Sequence, residues 1–254
     1  MNKTPRPEIM LEIRLPEIAT DGDSRAAYDT LYTDGDISQR PSFYMWLIDL
    51  FGIRPGERYL DVSCGRVHLP KLARARGARA HGLDLSHAAL RLGRTQTGVR
   101  DVVTGNSQAL PYASGSFDVV SNIGSLEHYV DMRAAVREMT RVLKPGGRAF
   151  VLVPNTFSLT TNIWIAMRQG RTSIDQQPIQ RYAARLEWAA LLEEYGLVVE
   201  QTIKYEREWP RTAADLRYYL THPKDLLRVL AAPVIPLNLA FCFVFLARKP
   251  LNAQ

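Results

Sequence analysis

Between residues 58 and 153 the chain repeats one pattern: a short apolar run, a glycine or polar turn, then a segment with helical spacing. Arg58–Val62 reads as a strand running into Ser63-Cys64-Gly65. Leu69–Arg76 has helical spacing and closes on Gly77. Ala78–Leu83 and Asp101–Thr104 are further strands, with a helix opening at Ser86 between them. Phe117–Asn122 is apolar, Met132–Val142 is amphipathic, and Lys144-Pro145-Gly146-Gly147 stops that helix before the apolar strand Ala149–Val153. Leu186–Tyr195, Leu197–Tyr205 and Ala240–Ala247 follow as helix, strand and strand. Short strands separated by helices of about 8–12 residues cannot pair as tight hairpins, and they predict a mostly parallel sheet covered on both faces.

The flanks are less regular. Residues 1–27 read as a loosely structured arm, and Pro41 opens a helix through Phe51 with Phe43, Trp46, Leu47 and Leu50 at helical spacing. Together, residues 1–54 are expected to form an arm and helix that cover a site. Thr156–Tyr182 and Arg207–Leu239 lack simple alternation. Both follow strands, so both are expected to emerge at the carboxyl edge of the sheet, where open α/β sheets bind ligands. They are candidate caps over an acceptor pocket within one domain spanning residues 1–254.

Composition narrows the partners. The 254 residues carry 32 Lys+Arg against 26 Asp+Glu, a net charge of +6. The bias is strongest at 66–100, where Arg66, Lys71, Arg74, Arg76, Arg79, Arg91, Arg94 and Arg100 face only Asp84. Such a stretch either steers an anionic partner or forms the solvated faces of two helices. No nucleic-acid motif accompanies it, so no nucleic-acid partner is expected. Val229–Ala247 is 19 residues without a charge, but Pro233, Pro236 and Asn238 break it into a helix end, a turn and a strand. No integral membrane segment is expected, and peripheral membrane contact stays open. Two cysteines, Cys64 and Cys242, cannot build a disulfide scaffold, which points to a reducing, cytoplasmic setting. The histidine spacing suggests no metal site. A monomer or a homodimer is expected.

The turn after Val62 has a physical use. Small residues let a backbone approach a ligand closely, and the following helix offers free amides. A second strand ends at Asp84, 19 residues after Gly65. An ionised carboxylate only accepts hydrogen bonds, which suits the two hydroxyls of a ribose.

The order of these blocks resembles the class I S-adenosylmethionine-dependent methyltransferases, in the small-molecule subgroup related to the ubiquinone-biosynthesis methyltransferases. Tyr59-Leu60-Asp61-Val62-Ser63-Cys64-Gly65-Arg66, His81-Gly82-Leu83-Asp84-Leu85-Ser86 and Gly105-Asn106-Ser107-Gln108-Ala109-Leu110-Pro111-Tyr112 carry the resemblance. So do Ser116-Phe117-Asp118-Val119-Val120, Ser125-Leu126-Glu127-His128 and Arg141-Val142-Leu143-Lys144-Pro145-Gly146-Gly147. It implies an α/β, Rossmann-like seven-stranded mostly parallel sheet with an antiparallel last strand. It also implies S-adenosyl-L-methionine as cofactor. Ser63, Cys64 and Gly65 would run beside its methionine part, with Asp61 holding the turn and the amino group. Asp84 would take the ribose hydroxyls, Leu85 the adenine face, and Asn106 and Ser107 the adenine edge. Asn122 and Ile123 would line the methionine side, and Tyr28 and Tyr32 would close over the cofactor.

The chain departs from the family at Ser63 and Val67, where glycine is common, and at Asn106, where aspartate is common. Val67 is the sharpest departure, because a β-branched residue narrows the turn and disfavours φ > 0. The implied reaction is methyl transfer to a small hydrophobic or aromatic acceptor at oxygen. The alternatives are transfer to carbon or nitrogen, and a non-catalytic cofactor-binding or structural protein. His128 is the candidate catalytic base, with Glu127 orienting it. Phe157, Leu159, Ile163, Trp164, Ile165 and Met167, with Trp209, Tyr218, Tyr219, Leu220, Leu226, Leu227, Val229 and Leu230, would make the caps apolar. They would close either a second small core or a greasy acceptor pocket. Arg168, Arg171, Arg181 and Arg185 would meet an acidic group on the acceptor.

Overall fold

The computed structural model describes residues 10–35, 37–175 and 177–251. Predictions for residues 1–9 lie outside the described residues. The order is β1 (Leu11–Arg14), α1 (Asp21–Asp34), α2 (Pro41–Phe51), β2 (Arg58–Val62), α3 (His68–Ala75) and β3 (Arg79–Asp84). Then come α4 (His87–Thr97), β4 (Val102–Thr104), β5 (Phe117–Ile123), α5 (Met132–Val142), β6 (Leu143–Pro154) and α6 (Trp164–Gln169). The chain ends with β7 (Ile179–Tyr182), α7 (Arg185–Glu194), β8 (Val198–Tyr205), α8 (Ala213–Thr221), α9 (Pro223–Ala231) and β9 (Cys242–Arg248).

Seven strands form one sheet in the order β4-β3-β2-β5-β6-β9-β8. The pairs from β4 to β6 are parallel, and β9 is antiparallel to both β6 and β8. The last strand thus inserts between two parallel neighbours, in agreement with the expected mostly parallel sheet and antiparallel last strand. Val229–Ala247 resolves into the end of α9, two short 3-10 turns and most of β9. No helix among the described residues is long and apolar enough to cross a membrane.

Both faces of the sheet are covered because its strands are apolar on both sides. On one face Leu60, Val120 and Val151 pack with Val136 and Met139 of α5 and Trp188 of α7. The Trp188 indole N–H donates to the Pro154 carbonyl at 2.8 Å, so a fully buried tryptophan keeps its polar atom paired. On the other face Tyr59, Val119 and Phe150 pack with Phe43, Leu47, Ile48 and Phe51 of α2 and with Leu69 of α3. The apolar spacing of α2 that marked it in the sequence faces this second core.

The amino-terminal arm is more ordered than its composition suggested. Thr20 and Asp23 form a reciprocal capping box that starts α1. β1 pairs antiparallel with β7, Leu11 opposite Tyr182 and Arg14 opposite Ile179. This small sheet ties the arm to the 156–182 segment, and the Arg181 guanidinium donates to Glu12 at 2.6 Å across it. Of the basic stretch at 66–100, Arg74 and Arg76 pair with Asp101 and Asp49. Arg94 donates to the Val102 carbonyl.

Candidate active site

A cavity of about 530 Å³ runs along the carboxyl edge of the sheet, a size in the usual range for small-molecule pockets. Tyr28, Tyr32, Asp61, Ser63, Cys64, Gly65, Asp84, Leu85, Asn106, Ser107, Ile123 and His128 all line it. Asn122 does not. Its amide nitrogen donates to the Tyr129 hydroxyl at 2.5 Å and to the Val62 carbonyl at 3.3 Å, so it stands one layer behind the wall.

The glycine turn and the end of β3 are joined directly. The Gly65 N–H donates to Asp84 Oδ2 at 2.7 Å, and the Ser86 N–H donates to Asp84 Oδ1 at 2.8 Å. Burial nevertheless pushes the Asp84 carboxyl up to about 6 against these bonds. Asp61 sits one strand over. Ser121 Oγ donates to Asp61 Oδ1 at 2.6 Å, so its single hydrogen is committed and Tyr59 Oη must donate to Ser121. Burial, with the neighbouring Asp84 charge adding to it, raises Asp61 to about 7.

The turn keeps the backbone that glycine would give. Ser63 and Val67 both adopt positive φ, 62° and 65°. The expectation that Val67 avoids φ > 0 is therefore corrected. Its side chain is fully buried with Cys64, Leu90, Val99 and Val102, and this packing outweighs a backbone cost of roughly 1–3 kcal/mol. Gly93 makes the room, since a Cβ there would lie 2.5 Å from Val67 Cγ2. Ser63 Oγ shares hydrogen bonds with Tyr129 Oη at 2.6 Å and with Ser107 Oγ at 3.3 Å. Cys64 is buried and its thiol is pushed well above its ordinary range, so it packs and stays protonated.

Helix α1 lies over this end of the cavity. Tyr32 Oη would meet a Cβ on Gly65 at 2.7 Å, so the turn needs glycine for contact as well as for its φ of 51°. Asp29 accepts from Ser86 Oγ at 2.5 Å and from the Ala88 N–H at 3.0 Å. Asp21 accepts from Asn106 Nδ2 at 2.7 Å and from Gln108 Nε2 at 2.6 Å. The carboxylate that the sequence lacks at Asn106 is thus present in space, contributed by Asp21. Sequence reading missed it because α1 has no apolar stripe; among its residues only Ser24 is buried. The signal available was the Thr20–Asp23 capping pair.

The middle of the cavity holds His128 and Glu127. The Nδ1–H of His128 donates to the Ile179 carbonyl, because a carbonyl can only accept, and this fixes the tautomer with a lone pair on Nε2. Burial holds the imidazole below its ordinary value, so it is neutral. Glu127 Oε1 lies 3.7 Å from Nε2, and Oε2 is buried without a hydrogen-bond partner among the described residues. Desolvation lifts Glu127 to about 8.

The caps differ from expectation in chemistry. Phe157, Leu159, Trp164 and Met167 are exposed, and Ser158, Thr161 and Asn162 line the cavity instead. The i, i+3, i+4 spacing of those polar residues puts them on one side of a helical turn and the apolar ones outside. In the second cap Trp209, Leu220, Leu227 and Leu230 are exposed, while Tyr219 and Val229 are buried. The four candidate arginines are also elsewhere. Arg181 is bound to Glu12 and to the Tyr129 carbonyl, Arg185 to Asn238, Arg171 to Gln169, and Arg168 lies over Trp164. The arginine that lines the cavity is Arg207. No cluster of three or more His, Cys, Asp or Glu among the described residues is placed to hold a metal ion.

Comparison with known proteins agrees with this geometry. A family model described as a methyltransferase domain matches residues 60–151. The demethylmenaquinone methyltransferase of Renibacterium salmoninarum is 32% identical over 142 residues, covering 56% of this chain and 60% of that protein. The ubiquinone/menaquinone biosynthesis C-methyltransferase of Cereibacter sphaeroides is 33% identical over 141 residues, covering 52% of this chain and 55% of that one. The chain thus spans little more than half the length of these relatives. The crystal structure of the cyclase SpnF superposes with a TM-score of 0.64 at 17% identity, covering 92% of this chain and 98% of that one, and shows the shared fold. Sheet order, glycine turn and family match converge on one stretch: residues 60–151 match a methyltransferase domain.

Proposed function

We propose that the chain binds S-adenosyl-L-methionine at the β2–β3 end of the cavity and methylates a small organic acceptor at the other. The observation that carries this reading is the meeting of Asp61, Asp84 and the Gly65 turn beneath Tyr32. The residues fit the group. Asp61 and Asp84 are buried acceptors, and no Lys or Arg hydrogen-bonds them among the described residues. The cofactor is a cation with a diol. Asp61 takes its ammonium, and Asp84 takes the ribose hydroxyls with the lone pairs left by its two backbone bonds. Leu85 packs on the adenine, and Asn106, Ser107 and Asp21 meet its edge. Ser63, Cys64, Gly65 and Ile123 line the methionine part, and Asn122 acts through Tyr129. Tyr28, Tyr32 and helix α1 close over the bound molecule and exclude water. When bound, the cofactor supplies an electrophilic methyl group on sulfur.

His128 is the base of this reading. Its fixed tautomer leaves Nε2 free to accept a proton from an acceptor hydroxyl, and Glu127, 3.7 Å away, once ionised above about pH 8, stabilises the imidazolium that forms. This favours transfer to oxygen. The Cereibacter sphaeroides relative is a C-methyltransferase by name, which favours carbon as the second reading. Residues 1–254 act as one domain, with 156–182 and 207–239 shaping the acceptor pocket. Calorimetry with the cofactor and its demethylated product tests binding first. Turnover against an acceptor panel, with the methylated atom assigned by NMR, then separates oxygen from carbon or nitrogen. Failure to bind either form of the cofactor removes the proposal, and binding without turnover on any acceptor leaves a non-catalytic binding protein.

A further inference from the structure

The cavity is electrostatically lopsided. Among the described residues, Asp21, Asp61, Asp84, Glu127 and Asp175 line it, against one guanidinium, Arg207. Arg207 follows the carboxyl end of β8, four strands from β2 in the sheet order, which at ordinary strand spacing is about 19 Å from Asp61. The two ends of the cavity therefore carry opposite charge and are too far apart to neutralise each other directly.

Arg207 is also underused. Its side chain is 20% exposed, and its nearest carboxylate oxygen, on Asp225, stands 3.7 Å away. No hydrogen bond from its five N–H donors is made among the described residues, and its Nε is buried and unpartnered. The neighbouring carboxylates are engaged with other groups. Asp225 accepts from Tyr218 Oη at 2.5 Å and is shared with Arg228. Glu206 accepts from the Phe241 N–H at 2.8 Å and from Thr160 Oγ1 at 3.1 Å. Arg228, by contrast, donates to Thr160 and Thr161. A guanidinium with five free donors beside an apolar wall is a fork waiting for a planar oxyanion. The wall is aromatic: Phe43 and Tyr205 meet edge-on at 5.3 Å between centroids, and Phe241 lies below Arg207 at 6.0 Å.

We infer that Arg207 selects the acceptor, and that the acceptor is a hydrophobic or aromatic molecule bearing an oxyanion, carboxylate or phosphate, which the guanidinium holds by paired hydrogen bonds. This rests on the proposed reading that the β8 end is the acceptor end. The aromatic body lies between Phe43, Tyr205 and Phe241, and the oxyanion anchors it so that its opposite edge points toward His128. Arg207 is thus a specificity residue that touches substrate away from the reacting atom.

The test is binding, read by titration of the full chain saturated with the demethylated cofactor product. The probes are naphthoate, naphthyl phosphate and the neutral isostere naphthamide. The wild type should bind the better of the two anions roughly 10- to 100-fold more tightly than naphthamide, the size of a charge-assisted pair of hydrogen bonds. The tighter anion identifies the oxyanion. Arg207→Gln should erase that preference while keeping its affinity for the cofactor product, which also shows that it is folded. Arg207→Lys keeps the charge without the fork and should retain a reduced preference. Equal affinity for all three probes, no binding of either anion, or an undiminished preference in Arg207→Gln overturns the inference while leaving methyl transfer intact. Loss of cofactor-product binding by the wild type overturns the reading beneath it.

Discussion

Asp61→Asn should make the protein more stable and its cofactor binding weaker, and the two effects have one cause. Burial raises the Asp61 carboxyl from 3.8 to about 7, so at pH 8 the folded chain carries a charge that its surroundings disfavour. The linkage sign follows from a folded value above the unfolded one. Below about pH 4 both states are protonated and the aspartate costs nothing. Between about pH 4 and 7 the unfolded chain ionises first, and folding stability falls by up to about 1.4 kcal/mol per pH unit. Above pH 7 both states are ionised and the deficit is level, at most about 4 kcal/mol. Asparagine removes that penalty and its Oδ1 can keep the bond that Ser121 Oγ donates to Asp61 at 2.6 Å, but its Nδ2 brings two donors that need acceptors. Allowing about 1–2 kcal/mol for an imperfect amide contact leaves a gain of roughly 1–3 kcal/mol at pH 8. For a chain of this size that is a rise in Tm of about 2–10 °C. Thermal melts of both proteins from pH 4.5 to 8.5 measure it, and calorimetry with the cofactor product should show affinity down by roughly 10- to 100-fold. A stability difference that does not change with pH, or a variant less stable than wild type at pH 8, would refute the assignment of Asp61 as a disfavoured buried charge.

Gly93→Ala, a change that elsewhere in a helix adds stability, should instead cost about 1–3 kcal/mol, because the new Cβ would meet Val67 Cγ2 at 2.5 Å and the Arg66 carbonyl carbon at 2.8 Å. Denaturant titration reads the sign. Asn106→Asp should loosen α1 by placing a carboxylate against Asp21, and the swap Asp21→Asn with Asn106→Asp should restore its amide-exchange protection. His128→Asn should lower kcat by about 100-fold or more on a hydroxyl acceptor, with the affinity for the cofactor product within about threefold of wild type. Unchanged kcat would assign the proton to solvent or to Glu127.

What the sequence disclosed, and what it withheld, follows from the range of the interactions involved. β2 and α5 have the predicted boundaries, Arg58–Val62 and Met132–Val142, because their apolar patterns and stop signals are local. The acids at the strand ends were equally legible, since Asp61 and Asp84 close strands and their neighbours along the chain carry them to the sheet edge. Asp21 was not, because it reaches Asn106 and Gln108 across more than 80 residues of intervening chain. Nor was the outward turn of Trp164 and Met167. Apolar content at a cap predicts burial, but only the tertiary position of Ser158, Thr161 and Asn162 decides which side of the segment faces the cavity. The same holds for the arginines. Three were visible in one cap and Arg185 just after it. Arg168 and Arg171 are occupied by neighbours along the chain, Arg181 and Arg185 by partners more than 50 residues away, whereas Arg207 is singled out by lacking a hydrogen-bonded partner among the described residues.

The buried acids and the arginine without hydrogen bonds raise the same physical question: what keeps poorly satisfied polar groups in a fold that could discard them. Asp61, Asp84 and Glu127 are lifted to about 7, 6 and 8 by burial, each a penalty at neutral pH relative to an ordinary carboxyl. Val67 adds a strained backbone at the same turn. These costs cluster at one edge of the sheet, while the cores on its two faces are built from paired backbone and packed apolar side chains. A cation entering beside Asp61 and Asp84 lowers both carboxyls toward their ordinary values, so part of its binding energy comes from relieving the fold. An anion entering beside Arg207 does the same for five N–H groups left without acceptors. The unliganded chain is therefore poised to gain stability from each ligand separately, and the two gains should add, because about 19 Å separates the sites.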